Sequence, residues 1–168
     1  AARLAQEGAR VVASARTAEE GESRLSGTLS ETIDRIKRAG GDGLSVRCDV
    51  SKSADVQAMV ARVVKTWGRL DCGFNNAGVS PAGGRIGEIP EDDWDRVIAI
   101  NLTGVWLCMK YELVQMAAQG GGVIVNTASI MGLVGERRTG AYCAAKHGVV
   151  GLTKTAALES ANKNIRVN

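Results

Sequence analysis

Short apolar runs alternate along this chain with longer stretches in which apolar residues recur every three or four positions. That alternation predicts βαβ units and a parallel sheet. Ala1 to Gln6 reads as the tail of a helix closed by Gly8, and Arg10 to Ser14 as a strand. Thr28-Leu29-Ser30-Glu31 has capping-box form, and Leu29, Ile33 and Ile36 continue as a helical stripe ended by Gly40-Gly41. Leu44 to Cys48 is the second strand; Val56, Val60, Val63, Val64 and Trp67 mark the next helix, stopped by Gly68. Leu70 to Asn75 is the third strand. Pro90 opens a long helix with Glu91, Asp92 and Asp93 in its first turn, where the helix dipole favours acids. Its predicted buried stripe is Trp94, Val97, Ile98, Leu102 and Val105. Gly122 to Thr127 is the fourth strand, Thr139 to about Ala161 the last helix, and Ile165 to Asn168 a fifth strand. The polar stretch Glu19 to Gly27 reads as a surface excursion, and glycine-rich Ser80 to Gly87 as a mobile segment.

With 168 residues, 45% of them hydrophobic, a single domain with a sizeable core is expected over 1–168. The net charge is only +3. The densest basic group, Arg35, Lys37 and Arg38, shares its helix with Glu31 and Asp34, a solvated face that argues against nucleic-acid binding. Cys48, Cys72, Cys108 and Cys143 are widely spaced without a Cys-x-x-Cys pair, and three of them sit among apolar neighbours as small buried hydrophobes would. His147 is the single histidine, so no metal centre is expected. No apolar run of eighteen residues and no signal-peptide pattern is read, so the expectation is a cytoplasmic protein without a membrane partner.

Candidate chemistry centres on Ser129, Tyr142 and Lys146. Tyr142 and Lys146 lie four residues apart, one helical turn, and so share a face. An ammonium there favours the phenolate. A serine thirteen residues earlier, leaving a strand end, can set a hydroxyl beside the phenol. Such a trio can pass a proton to or from a carbonyl or alcohol oxygen. A Tyr-x-x-x-Lys pair alone is ordinary; the order Asn75-Asn76-Ala77-Gly78, Asn101, Ser129, Tyr142, Lys146, each at a fitting element, is not.

At these positions the chain resembles the classical short-chain dehydrogenase/reductase family. Asn75-Asn76-Ala77-Gly78, Ala128-Ser129, Tyr142-Cys143-Ala144-Ala145-Lys146 and Ile165-Arg166-Val167-Asn168 carry the likeness, which extends over essentially all 168 residues. The resemblance implies a Rossmann-like α/β fold, a doubly wound parallel sheet in three αβα layers. It implies hydride exchange between a nicotinamide cofactor and a carbonyl or secondary alcohol. Tyr142 would be the general acid/base, Lys146 its activator and a ribose ligand, and Ser129 a donor to the substrate oxygen. Asn101 would kink its helix and support a proton path to Lys146. Asp49 and Val50 match the adenine contact, and Asn76, Ala77 and Gly78 the segment along the adenosine ribose. Where the family discriminates its cofactors, Ala15 replaces the acid expected for NAD(H) and Arg16 follows, which favours NADP(H), with NAD(H) the alternative.

A homodimer or homotetramer through the two long helices, Pro90 to Ala118 and Thr139 to Ala161, is implied likewise, and Ile130 to Val134 suggest an apolar substrate wall. Two rival readings are a non-catalytic nucleotide-binding module and an epimerase or dehydratase on the same fold. The family's glycine-rich turn lies before the matched stretch and its proline-glycine turn and substrate loop lie after it. An internal piece, truncated at both ends, inactive and poorly folding by itself, is therefore the expectation.

Overall fold

A computed structural model of the chain describes residues 1–17, 28–81 and 83–168. The excursion expected over 19–27 lies outside the described residues. The rest forms two compact units, Ala1–Asp49 and Val50–Asn168.

The first unit runs α1 (Ala2–Gln6), β1 (Val11–Ala15), α2 (Leu29–Arg38), β2 (Gly43–Arg47). Gly8 takes φ +87°, the left-handed turn that ends α1 and that a side chain would resist. The capping box forms as the sequence suggests. Glu31 N–H donates to Thr28 Oγ1 and Thr28 N–H to Glu31 Oε2, both at 3.0 Å. The Leu29, Ile33 and Ile36 stripe is buried, and Ile33 and Ile36 join Ala5 in a small core against Val11 and Ala13. β1 and β2 pair in parallel from Val11 with Gly43 to Ala15 with Arg47.

The second unit runs α3 (Ser53–Trp67), β3 (Cys72–Asn75), α4 (Glu91–Ile98), a π-helical turn (Ala99–Thr103), α5 (Gly104–Gln119), β4 (Gly122–Asn126), α6 (Gly140–Ser160), β5 (Ile165–Val167). Its sheet is parallel, with β4 between β3 and β5. Val105, Met109 and Met116 of α5 and Val149 and Ala156 of α6 close the core over Ile124, Ile165 and Val167. The N-cap of α3 is Lys52, with no side-chain cap, and the Ser53 hydroxyl bonds the Tyr111 hydroxyl at 2.7 Å.

Three expectations are corrected here. Trp94 is 42% exposed, because the cover over α4 comes from Ala141 and Ala145 opposite Val97 and does not extend to it. Cys72 is exposed, because the alternation of β3 turns Gly73 and Asn75 inward and leaves Cys72 and Phe74 on the other face. Finally, the long helix expected from Pro90 forms, α4, the π turn and α5 running on over Glu91–Gln119, but against the expectation of no such apolar run it holds an eighteen-residue window of mean hydropathy 1.4. That is long and apolar enough to span a bilayer by composition, yet half of it is buried within the protein, as in a core helix.

Ile124 is fully buried at the centre of this sheet. Ile124→Ala is expected to cost about 2–5 kcal/mol through lost burial and the cavity left behind. Urea unfolding checks it: the midpoint falls while the slope stays unchanged.

Candidate active site

β4 ends at Asn126, and the chain turns through Thr127, Ala128 and Ser129 into a 3-10 turn, Ile130–Gly132, that lies against α6. A Cβ on Gly132 would sit 2.8 Å from the Lys146 carbonyl, so only glycine permits this approach. The Lys146 side chain closes the same contact from the other direction. Its Nζ donates to the Thr127 carbonyl at 2.7 Å, and the residue is only 3% exposed. Burial pushes the Lys146 pKa below the ordinary lysine value. The same Nζ stands 5.6 Å from the centre of the Tyr142 ring. Tyr142 and Ser129 are both half-buried. Ser129 Oγ accepts from the Met131 N–H at 3.3 Å, which leaves its own proton for another acceptor. The helix and strand end that carry the three predicted groups are thus fastened together.

Asn101 lies in the π turn, where Gly104 N–H reaches back five residues to the Ala99 carbonyl. It is fully buried, and its amide is satisfied three ways. Nδ2 donates to Val79 O at 3.0 Å and to Val97 O at 3.1 Å, and Oδ1 accepts from Val79 N–H at 3.1 Å. Asn101 thus sits in a π turn, and its amide clamps the loop that follows β3. Asn76, Ala77 and Gly78 of that loop are exposed, and a Cβ on Gly78 would lie 2.7 Å from Asn101 Oδ1. Asn76 Oδ1 accepts from the Thr127 hydroxyl at 3.0 Å, tying this loop to the Lys146 acceptor. Val50 leans on Gly104, where a Cβ would stand 2.8 Å from its Cγ2.

In the first unit Arg16 is exposed just past β1 and Asp49 is half-buried. Arg47 Nε donates to the Arg16 backbone carbonyl at 2.9 Å, so the Arg47 guanidinium lies against the end of β1. The segment expected to be mobile is tied to the start of α6 by a bridge between Gly84 and Thr139. Gly84 N–H donates there to the carbonyl of Arg138, a non-glycine residue with φ +68°. Ile86 and Ile89 pack at Gly140, so apolar side chains flank the first turn of α6, and the Val134 carbonyl stands 4.0 Å from Cys143 Sγ. Among the described residues no group of three or more His, Cys, Asp or Glu could hold a metal.

Sequence reasoning missed Glu112. It lies inside the apolar face of α5, 4% exposed, and Asn75 Nδ2 donates to its Oε2 at 2.9 Å. Asn75 Nδ2 also donates to Asn126 Oδ1, and Asn126 Nδ2 to Thr153 Oγ1, both at 3.0 Å. Burial, opposed only by the Asn75 bond, pushes the Glu112 carboxyl up to about 7. One signal in the sequence pointed to it: a glycine, Gly73, in mid-strand, where a side chain would collide with the carboxyl.

Residues 1–168 match the short chain dehydrogenase family over the whole stretch. Cyclohexanol dehydrogenase of Acinetobacter sp. (strain SE19) is 42% identical over 98% of this chain and 62% of its own length. The 3beta-hydroxysteroid dehydrogenase of Mediterraneibacter gnavus is 39% identical over 100% and 58%. Among solved structures, carveol dehydrogenase from Mycobacterium avium in complex with NAD superposes with a TM-score of 0.91 at 36% identity, over 99% of this chain and 62% of that one. The chain belongs to the short-chain dehydrogenase/reductase family and has its Rossmann-like α/β fold. It spans less than two thirds of the length of these relatives.

Gly78→Ala forces a methyl onto the Asn101 amide. It is expected to lower stability by about 1–3 kcal/mol, the cost of a buried polar group losing its partners, with Asn101→Ala similar and the double variant well short of additive. Thermal melts of the three variants check this.

Proposed function

We propose that the protein containing these residues is an oxidoreductase that exchanges a hydride between NADP(H) or NAD(H) and a carbonyl or secondary alcohol. The observation that carries the reading is the buried Lys146 amine, hydrogen-bonded to the strand end that leads to Ser129 and set 5.6 Å from the Tyr142 ring. Tyr142, with the Lys146 amine beside its ring, takes a proton from an alcohol or returns it to a carbonyl. Ser129, whose oxygen already accepts from Met131, donates its proton to the substrate oxygen and holds it in line. The nicotinamide, when bound, supplies the hydride chemistry.

The exposed Asn76-Ala77-Gly78 loop, free of Cβ bulk at Gly78, suits close backbone approach to a ribose, while Asp49 and Val50 fit the adenine. Exposed Arg16, with Arg47 bonded to its backbone carbonyl and no acid at Ala15, favours the 2′-phosphate of NADP(H). NAD(H) stays the alternative, since the carveol dehydrogenase is complexed with NAD. Exposed Ile86, Ile130, Leu133 and Val134 around the start of α6 suit an apolar, alicyclic alcohol or ketone, in keeping with relatives named for cyclohexanol, a hydroxysteroid and carveol. Trp106, Val114 and Leu158, exposed on α5 and α6, suit assembly into a homodimer or homotetramer. Cys48, Cys72, Cys108 and Cys143 as thiols suit a reducing cytoplasm.

Two measurements on the complete protein test this. Tyr142→Phe is expected to cut kcat by about 10²–10⁴-fold, the usual range for an acid/base group, with cofactor affinity kept; retained turnover contradicts the assignment. Arg16→Ala with Arg47→Ala is expected to weaken NADPH binding by about tenfold or more, as loss of charge-assisted bonds does, and to leave NADH binding unchanged. Equal loss for both cofactors contradicts the phosphate role.

A further inference from the structure

Glu112 carries more than core packing requires. A carboxyl in an apolar helix face is costly, and the chain makes room for it by keeping Gly73 without a side chain on the facing strand. A leucine with a larger strand residue would fill that space more cheaply. What the carboxyl touches gives it a purpose. Its partner Asn75 is the last residue of β3, directly before the Asn76–Gly78 loop. The Asn75 carbonyl accepts from Thr127 N–H at 3.0 Å, and the Thr127 carbonyl is the acceptor of Lys146 Nζ. Asn76 closes the ring through the Thr127 hydroxyl. A continuous set of hydrogen bonds therefore runs from the buried carboxyl to both the proposed cofactor loop and the proposed catalytic amine.

We propose that Glu112 is a positioning residue: seated in the space left by Gly73, it fixes Asn75 and, through Asn75 and Thr127, the placement of the Asn76–Gly78 loop and of Lys146. The proposal rests on the short-chain dehydrogenase reading above. Glu112 touches neither substrate nor cofactor and acts only through Asn75. Few charges face it. Across on β3 stands Cys72, whose thiol is pushed up by partial burial first and by the Glu112 carboxylate and Asp71 after that, with Arg166 of β5 opposing. Among the described residues, Asn75 is the one group besides burial that weighs on Glu112 itself.

The sign of the pH effect follows. A carboxyl raised to about 7 by burial favours the fold while protonated, and that contribution is lost as pH climbs through about 7. Glutamine mimics the protonated acid and keeps an oxygen for Asn75. The test measures NADPH and NADH dissociation constants by fluorescence, with melting temperatures, from pH 6 to 8.5 in complete wild-type protein, Glu112→Gln and Glu112→Leu. Ionisation strengthens the bond from Asn75 while leaving a charge in the core, so cofactor affinity in the wild type is expected to change several-fold as pH climbs through about 7, in step with ionisation of the carboxyl. Glu112→Gln is expected to bind like the wild type at pH 6 and to lose that pH dependence. Glu112→Leu, isolated as folded protein, is expected to bind about tenfold more weakly at every pH, the loss of one buried hydrogen bond. Should the leucine variant not fold, the comparison of wild type with glutamine decides alone. Identical pH profiles of affinity in those two, with only the melting temperatures apart, would make Glu112 a structural residue and overturn the proposal. Wild-type protein that binds neither cofactor would overturn the dehydrogenase reading instead.

Discussion

An ammonium group buried in a protein interior must find an acceptor, and Lys146 finds the Thr127 carbonyl. That bond fixes how α6 lies along the end of β4. With Lys146 held, the residue one turn earlier, Tyr142, has little choice of position, and the Ile130–Gly132 turn can come down on α6 only because Gly132 has no side chain. The lysine is thus a bolt as well as a charge. It connects the sheet edge, the serine turn and the phenol, and removing it would leave the Thr127 carbonyl without the Lys146 donor.

A second clamp holds the loop that follows β3. Asn101 joins the π turn between α4 and α5 to the loop after β3, through two bonds to Val79 and one to Val97. The π turn gives up regular helical hydrogen bonding, and functional sites are where such turns concentrate. Here the irregular turn carries the one buried amide that reaches across to the loop. Asn101, Asn75 and Lys146 together tie the two loops leaving β3 and β4 to two helices through polar groups that are all satisfied. Among the described residues, no buried side-chain polar atom lacks a partner.

Local chemistry was legible in the sequence. The Thr28/Glu31 box, the left-handed glycines after α1, α2 and α3, and the stripes of α2 and α3 depend on neighbours within one or two turns, and they appear where the pattern placed them. The Ser129, Tyr142 and Lys146 elements were legible because their spacing is a helical and strand-end property. Pairings across the fold were not. Glu112 reads as a surface residue until β3 is laid against α5 and Gly73 is seen to face it. Trp94 satisfies the helical period, yet burial depends on what stands opposite. The clasp of Arg47 on Arg16 needs the β1–β2 register, which no local pattern reveals. Nor did composition announce the apolar window in Glu91–Gln119, because charged residues at both ends dilute it.

The most direct test of this account is a crystal structure of the complete protein with a nicotinamide cofactor and an alcohol bound. The account predicts Lys146 Nζ still on the Thr127 carbonyl, with the hydroxyls of Ser129 and Tyr142 both within about 3.2 Å of the alcohol oxygen, the reach that proton transfer needs. An alcohol bound elsewhere, with those two hydroxyls turned into separate surroundings, would contradict it.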